Sequence, residues 1–307
     1  MKLSCTKENL SRALSLVSGV TGKNINLPIL SNVLIRATDQ KVELVATNLE
    51  LAMVVVLRSI IEEQGSFTVP ARTLTDYVNL LPNEKIDLEL KDNELLVKCG
   101  KSSTKIKGSS AEDFPVIPTM EGGEGFLVDA ESFKNGLSQV LPAVAKNDIR
   151  PELAGVFLGF NVGGNAGLVM ATTDSYRLAE KKVPLKQGQG EFKVVLPGRT
   201  AQEISHILAV PDEGSTETGA RLLVGENQIM LNYGNTQLIS RLVEGQYPDY
   251  TQIIPKEFKT IIEVDTNKLV KEMKAAGLFT TTGVNAVTLL AKSDGKLEIT
   301  SASTQTG

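Results

Sequence analysis

The sequence predicts an α+β fold made of repeated domains, each with two helices packed on antiparallel sheet. Three observations carry this. The chain echoes itself in order, with Ala46 and Ala171, Pro70 and Pro197, and Pro115 and Pro248 heading similar segments at offsets of 125, 127 and 133 residues. Short runs alternate apolar and polar residues, as in KIDLEL at 85–90 and ELLVKC at 94–99, the pattern of half-buried antiparallel strands. Stretches 6–18, 71–81, 130–146, 199–210 and 266–277 carry helix signals between those runs.

The elements follow in order. TKENL at 6–10, DAESF at 129–133 and DTNKL at 265–269 each open a helix, with Thr or Asp as the N-cap. Each helix is followed by an apolar strand: NVLIRA at 32–37, GVFLGF at 155–160 and AVTLLA at 286–291. Next come KVELV at 41–45 and GLVM at 167–170, each running into a polar knot, ATNLELAM at 46–53 and ATTDSYRLA at 171–179. The strands VVVL at 54–57 and EKKVPL at 180–185 leave the knots. GSFTVPARTLTDYVNLLP at 65–82 matches GEFKVVLPGRTAQEISHILAVP at 190–211: strand, proline, arginine, then helix. KDN at 91–93, GEN at 225–227 and SDG at 293–295 supply hairpin turns, and VGGNAG at 162–167 suits a turn better than a phosphate loop. EDFPVIP at 112–118 matches QYPDYTQIIP at 246–255. The third copy reaches KLEITSAS at 296–303 and stops, so the repeat predicts domains at 1–124 and 125–255 and a C-terminally incomplete one at 256–307.

Composition bounds the function. Hydrophobic residues at 41% and charged residues at 22% fit a globular protein, and no apolar stretch reaches the 18 or so residues of a membrane span. The start, MKLSCTKENL, lacks the apolar core of a signal peptide, so a cytoplasmic location is expected. Cys5 and Cys99 sit in alternating strand patterns and read as buried thiols of a reducing compartment. With one histidine, His206, and two distant cysteines, a zinc site lacks ligands, and no metal or cofactor is expected. The net charge of −4 is unevenly spread. The five predicted helices carry +4 and the remainder −8. On the helix at 199–210, Arg199, Gln202, Glu203 and His206 recur at helical spacing and form a polar stripe, which as a solvated face needs no partner.

The knot at 171–179 invites two readings from its residues alone. It is a strand-ending turn, or it presents polar groups for binding. Asp174, Ser175 and His206 also supply the residue types of a hydrolase triad, but no G-x-S-x-G elbow surrounds Ser175. No G-x-x-x-x-G-K-[ST] nucleotide loop is present. A repeat-built protein-binding scaffold would share the same fold signals.

LPILSNVLI at 27–35, FTVPAR at 67–72, EDFPVIP, ELAGVFLGF at 152–160, ATTDSYRLA and EGQYPDYTQIIP occur in this order along the whole chain. In combination they resemble the bacterial sliding clamp, the DNA polymerase III beta subunit. The resemblance implies a ring-forming DNA-clamp fold. Three-domain chains pair head to tail as a homodimer around duplex DNA, with helices lining the hole and sheets outside. It implies a processivity factor and not an enzyme. Its partners are double-stranded DNA held without sequence readout, the replicative DNA polymerase, an ATP-dependent clamp loader and repair proteins with clamp-binding peptides; no membrane is involved.

The resemblance also implies roles for residues. Lys23, Asn24, Arg72, Arg150 and Arg199 would face DNA. Leu153, Leu178, Pro248, Ile253 and Val284 would give apolar walls to a partner-peptide groove, and Thr173, Ser175, Tyr176, Arg177 and Gln252 its polar groups. Ser175 stands where the family often has Gly, Tyr176 where it often has His, Gln252 where a basic residue is frequent, and Val284 where an aromatic can sit. For the dimer, GKSSTKIKG at 100–108, with Lys101 and Ile106, would be the pairing edge, facing Leu278 and Phe279. The lysines of that strand serve equally as protection against unwanted pairing, and Phe279 reads equally as core.

Overall fold

The computed structural model describes residues 1–22, 26–120, 122–146, 150–164, 166–211, 219–280 and 286–301. They fall into two compact units, Met1–Tyr247 and Pro248–Gly307.

The first unit holds two copies of one plan. The first copy runs β1 (Lys2–Thr6), α1 (Lys7–Val20), β2 (Asn32–Ala37), β3 (Val42–Thr47), β4 (Leu51–Leu57), β5 (Ile60–Glu63), β6 (Gly65–Pro70), α2 (Ala71–Leu80), β7 (Lys85–Lys91), β8 (Glu94–Cys99) and β9 (Ser102–Lys107). The second runs β10 (Glu124–Asp129), α3 (Ala130–Val140), β11 (Gly155–Phe160), β12 (Leu168–Thr173), β13 (Leu178–Val183), β14 (Leu185–Gln187), β15 (Phe192–Pro197), α4 (Gly198–Ala209), β16 (Gly219–Val224), β17 (Gln228–Tyr233) and β18 (Thr236–Arg241). Strand order matches throughout: β5-β1-β7-β8-β9 corresponds to β14-β10-β16-β17-β18, and β4-β3-β2-β6 to β13-β12-β11-β15.

Local chemistry explains the element starts. Thr6 accepts a hydrogen bond from Asn9 N at 3.3 Å, and Asp129 from Ser132 N at 3.0 Å, the same capping bond in both copies. The β7–β8 hairpin turns on Asp92 and Asn93, with φ of 48° and 61°, the left-handed pair a tight hairpin needs. Helix α3 stops at Val140, short of the expected 146, because Leu141–Ala143 tightens into a 3₁₀ turn around Pro142. Lys146 therefore lies off the helix, and the five helices carry +3, not +4.

The two copies are welded edge to edge. Strand β18 pairs antiparallel with β4, from Thr236 opposite Val55 to Ser240 opposite Leu51, and so completes a nine-stranded sheet. On the helical side α2 packs on α1, α1 on α4 and α4 on α3, one continuous layer. One large apolar core runs through both copies, with Phe126 stacked on Phe160 at 4.2 Å between ring centres, and Leu34, Val45 and Phe114 form a second, small cluster in the first copy. Of the edge strands β5, β6, β9, β13, β14 and β15, β9 and β13 are the equivalents of the joined β18 and β4.

The pairing corrects the repeat register. Thr47 stands opposite Ala52, and Thr173 opposite Leu178, so Thr47 matches Thr173 at an offset of 126. The offset of 125 read from Ala46 and Ala171 is one residue short, a slip that would turn every strand side chain to the other face.

The second unit begins a third copy. Asp265 caps α5 (Thr266–Gly277) by accepting from Lys268 N at 2.8 Å, and β19 (Thr288–Ala291) pairs with β20 (Leu297–Thr300). Helix α5 buries none of its residues. One helix and one hairpin offer too little apolar surface for a core of their own.

Candidate functional site: the turn at 173–178 and its surroundings

The polar knot is a turn, and its bonds are made by its own side chains. Thr173 is 8% exposed at the end of β12. Its Oγ1 donates to Arg177 O at 2.8 Å and accepts from Ser175 N at 3.1 Å. Asp174 Oδ1 accepts from Tyr176 N at 3.1 Å and Arg177 N at 3.0 Å. Its Oδ2 takes the Arg177 Nε–H at 2.9 Å. Burial pushes the Asp174 carboxyl up, but the backbone N–H groups of Arg177 and Tyr176 and the Arg177 guanidinium outweigh it and hold it below its ordinary value. Ser175 is forced to a φ of 75°. The result is a rigid loop that displays Tyr176, 97% exposed, and the Arg177 fork.

The first copy builds the same turn from different residues. Thr47 Oγ1 donates to Leu51 O and accepts from Leu49 N, both at 3.0 Å, while Asn48 Oδ1 accepts from Glu50 N and Leu51 N. Leu49 has a φ of 78°. Both readings of the knot thus meet in one object: a self-bonded turn whose second-copy version carries an exposed aromatic and a cation. Tyr247 packs on Phe157 at 5.4 Å between ring centres, and burial raises its hydroxyl to about 12.

The expected residues fall into different surroundings. Leu178 is half-buried at the start of β13. Leu153 is 4% exposed inside the 3₁₀ turn Pro151–Ala154, so it is floor rather than open wall. Pro248, Gln252 and Ile253 belong to the second unit and are exposed there, with Gln252 Nε2 donating to Asp249 Oδ2 at 2.8 Å. Leu278 and Phe279, in the same unit, are 77% and 52% exposed, so Phe279 is not core in this structure. Val284, Lys23 and Asn24 lie outside the described residues.

Arg72 is exposed on the first turn of α2 and meets Asp76 at 3.6 Å. Arg150 is exposed at the start of the 3₁₀ turn Pro151–Ala154. Arg199 is exposed but engaged: its guanidinium donates to Gly19 O at 3.3 Å and Thr21 O at 3.5 Å, capping the C-terminal carbonyls of α1 across the repeat junction. The polar stripe on α4 is likewise not all solvated. Glu203 is buried against α1, where a Cβ on Gly19 would stand 2.8 Å from its Oε2, and His206 Nδ1 lies 3.5 Å from the same oxygen.

The expected pairing edge is a sheet edge, with Lys101 exposed beside it. Ile106, however, points inward and is 6% exposed, because alternation in β9 sends Lys105 and Lys107 outward and Ile106 into the core. Cys5 and Cys99 are buried thiols on the two strands flanking β7, both opposite Ile86. Two of the three triad residues are engaged elsewhere, Asp174 with Arg177 and His206 beside Glu203. Among the described residues no group of three His, Cys, Asp or Glu gathers to hold a metal, and no helix is long and apolar enough to cross a membrane.

Comparison with known proteins places this arrangement. The DNA polymerase III beta subunit N-terminal domain family matches residues 1–118, and the central-domain family matches residues 127–249. The beta sliding clamp of Synechococcus elongatus is 32% identical over 94% of this chain and 77% of its own length. That of Synechocystis sp. is 30% identical over 96% and 79%. The crystal structure of a DnaN sliding clamp from Pseudomonas aeruginosa covers all of this chain and 82% of its own, at 28% identity and a TM-score of 0.86. The sliding clamp of Bacillus subtilis covers 97% and 80%, at 27% identity and a TM-score of 0.85. With both full copies matched and the clamp fold present in the structure, the chain belongs to the bacterial beta sliding clamp family: it is a DNA sliding clamp, a replication processivity factor and not an enzyme.

Proposed function

We propose that this cytoplasmic clamp retains duplex DNA by topology and weak charge, and receives partner peptides on the turn at 173–178. Its plan is two full clamp domains at 1–124 and 125–255 and a partial one at 256–307. The observation that carries the reading is the welded junction. Two equivalent domains meet through β18 and β4 with their helices in one layer, so the helices of both copies share one side of the junction. Net positive helices on a negative chain suit a surface that attracts phosphates without reading bases. Lys23, Asn24, Arg72, Arg150 and Arg199 are assigned to that surface, and Arg199 shares its charge with the α1 terminus.

Thr173, Ser175, Tyr176, Arg177 and Leu178, which share one turn, are assigned to the peptide groove. Leu153 is assigned to its floor, and Pro248, Gln252, Ile253 and Val284 are assigned to the same groove. A second copy is assigned to the β9 edge near Lys101, with Leu278 and Phe279 as the facing surface. Loading by an ATP-dependent clamp loader onto nicked circular DNA, followed by gel filtration, tests the reading. Retention on the circle and loss after linearisation are expected. Arg72→Glu with Arg150→Glu should weaken retention and lower the salt slope by about 2. Equal retention on linear and circular DNA would show site binding in place of encirclement.

A further inference from the structure

We infer that the junction of the two repeats carries a second docking site, for a partner segment combining apolar and acidic side chains. A hollow of about 900 Å³ opens between the turn of the first copy, at Glu50, and the turn of the second, at Arg177. Four cations line it: Lys146, Arg177, Arg199 and Arg241. They reach it from separate elements, the segment after α3, the 173–178 turn, the first turn of α4 and the end of β18. Glu50 is the one carboxylate among the lining residues.

The cations divide into two kinds. Arg177 is tied to Asp174 and Arg199 to the α1 carbonyls, so their positions are fixed. Lys146 and Arg241 are exposed and form no ion pair among the described residues. Uncompensated charge beside anchored charge attracts anions and orients them.

The walls between the cations are aliphatic. Leu141, Pro142, Val144, Leu242 and Val243 face the space. No aromatic ring lines it, so bases entering with a nucleic-acid strand would have nothing to stack on. A peptide fits both features, with leucine-like side chains on the walls and carboxylates at the cations. Glu50 fixes the register, since acidic side chains avoid its lip. The site stands apart from the peptide groove proposed above, except that Arg177 borders both.

The test uses the full chain and a fluorescein-labelled, end-blocked peptide of sequence Asp-Asp-Leu-Leu-Asp-Asp, followed by anisotropy at low and moderate salt. Saturable binding is expected, weakened about tenfold or more by Lys146→Glu with Arg241→Glu. Lys146→Gln with Arg241→Gln should give a smaller loss, which reports charge and not misfolding. Leu178→Ala, on the groove side, should leave the affinity unchanged. Absence of saturable binding, or indifference to both double variants, would overturn the inference. So would loss of binding on Leu178→Ala alone, which would move the peptide to the groove. A six-residue oligothymidylate that displaces the peptide at lower concentration would make the occupant a nucleic acid and would refute it too.

Discussion

The turn at 173–178 depends on one hydroxyl, and replacing it separates turn rigidity from the rest of the fold. Thr173→Val keeps the shape but removes the Oγ1 that donates to Arg177 O at 2.8 Å and accepts from Ser175 N at 3.1 Å. Each bond contributes roughly 1 kcal/mol net. The added methyl, at a site 8% exposed, returns up to about 0.8 kcal/mol. The left-handed φ of 75° at Ser175 then loses its restraint. A net loss of about 1.5 kcal/mol follows, or roughly 3–6 °C in the melting temperature of a body this size. A loosened turn must be reordered on binding, which should weaken a clamp-binding partner peptide by up to about tenfold.

Thr47→Val is the internal control. It breaks the same two bonds in the first copy, so it should cost similar stability and leave peptide affinity unchanged. Calorimetry and peptide titration on both variants make the comparison. Equal loss of affinity in the two would mean a global effect. No change in either property for Thr173→Val would mean the turn is not held this way.

Two further outcomes follow from named contacts. Asp129 caps α3 and bonds Lys186 at 3.0 Å; the Ser132 backbone N–H first, then Lys186 and the Ser132 hydroxyl, bring its carboxyl down to about 2. An unfolded aspartate titrates near about 3.9, so this stabilisation is whole above that pH and is lost as the pH falls towards 2. Asp129→Ala should therefore cost about 1 kcal/mol in urea unfolding at neutral pH and little near pH 2, and a pH-independent loss would count against the capping role. Burial, with a smaller push from Asp87, raises the Cys5 thiol to about 12. At pH 8 iodoacetamide should leave Cys5 unlabelled in the native protein and label it on unfolding; labelling at the rate of a free peptide thiol would refute its burial.

Much of the fold was legible because its signals are local. Thr6, Asp129 and Asp265 cap helices through a backbone N–H three residues on, and no distant residue takes part. NVLIRA, GVFLGF and ELLVKC are strands with the bounds their apolar patterns give. The site was legible only in part. Thr173 to Leu178 do form one turn, but Ile106 turns inward, because alternation fixes a strand's two faces without saying which of them meets the core, and Leu153 is buried in a 3₁₀ turn that no two-residue period marks. The buried Glu203 was hidden for a related reason: its cover is Gly19, on another helix of another copy.

The sequence by itself determined the repeated plan, the caps, the turns and the membership that follows from their order, since each is written within a few neighbouring residues. Tertiary structure alone decided that β18 joins β4, that Arg199 holds a helix end 180 residues away in the chain, and that Lys146, Arg177, Arg199 and Arg241 border one hollow. Those outcomes depend on which sheet edges meet and in what register, and edge pairing is a contest between distant segments that no local pattern encodes.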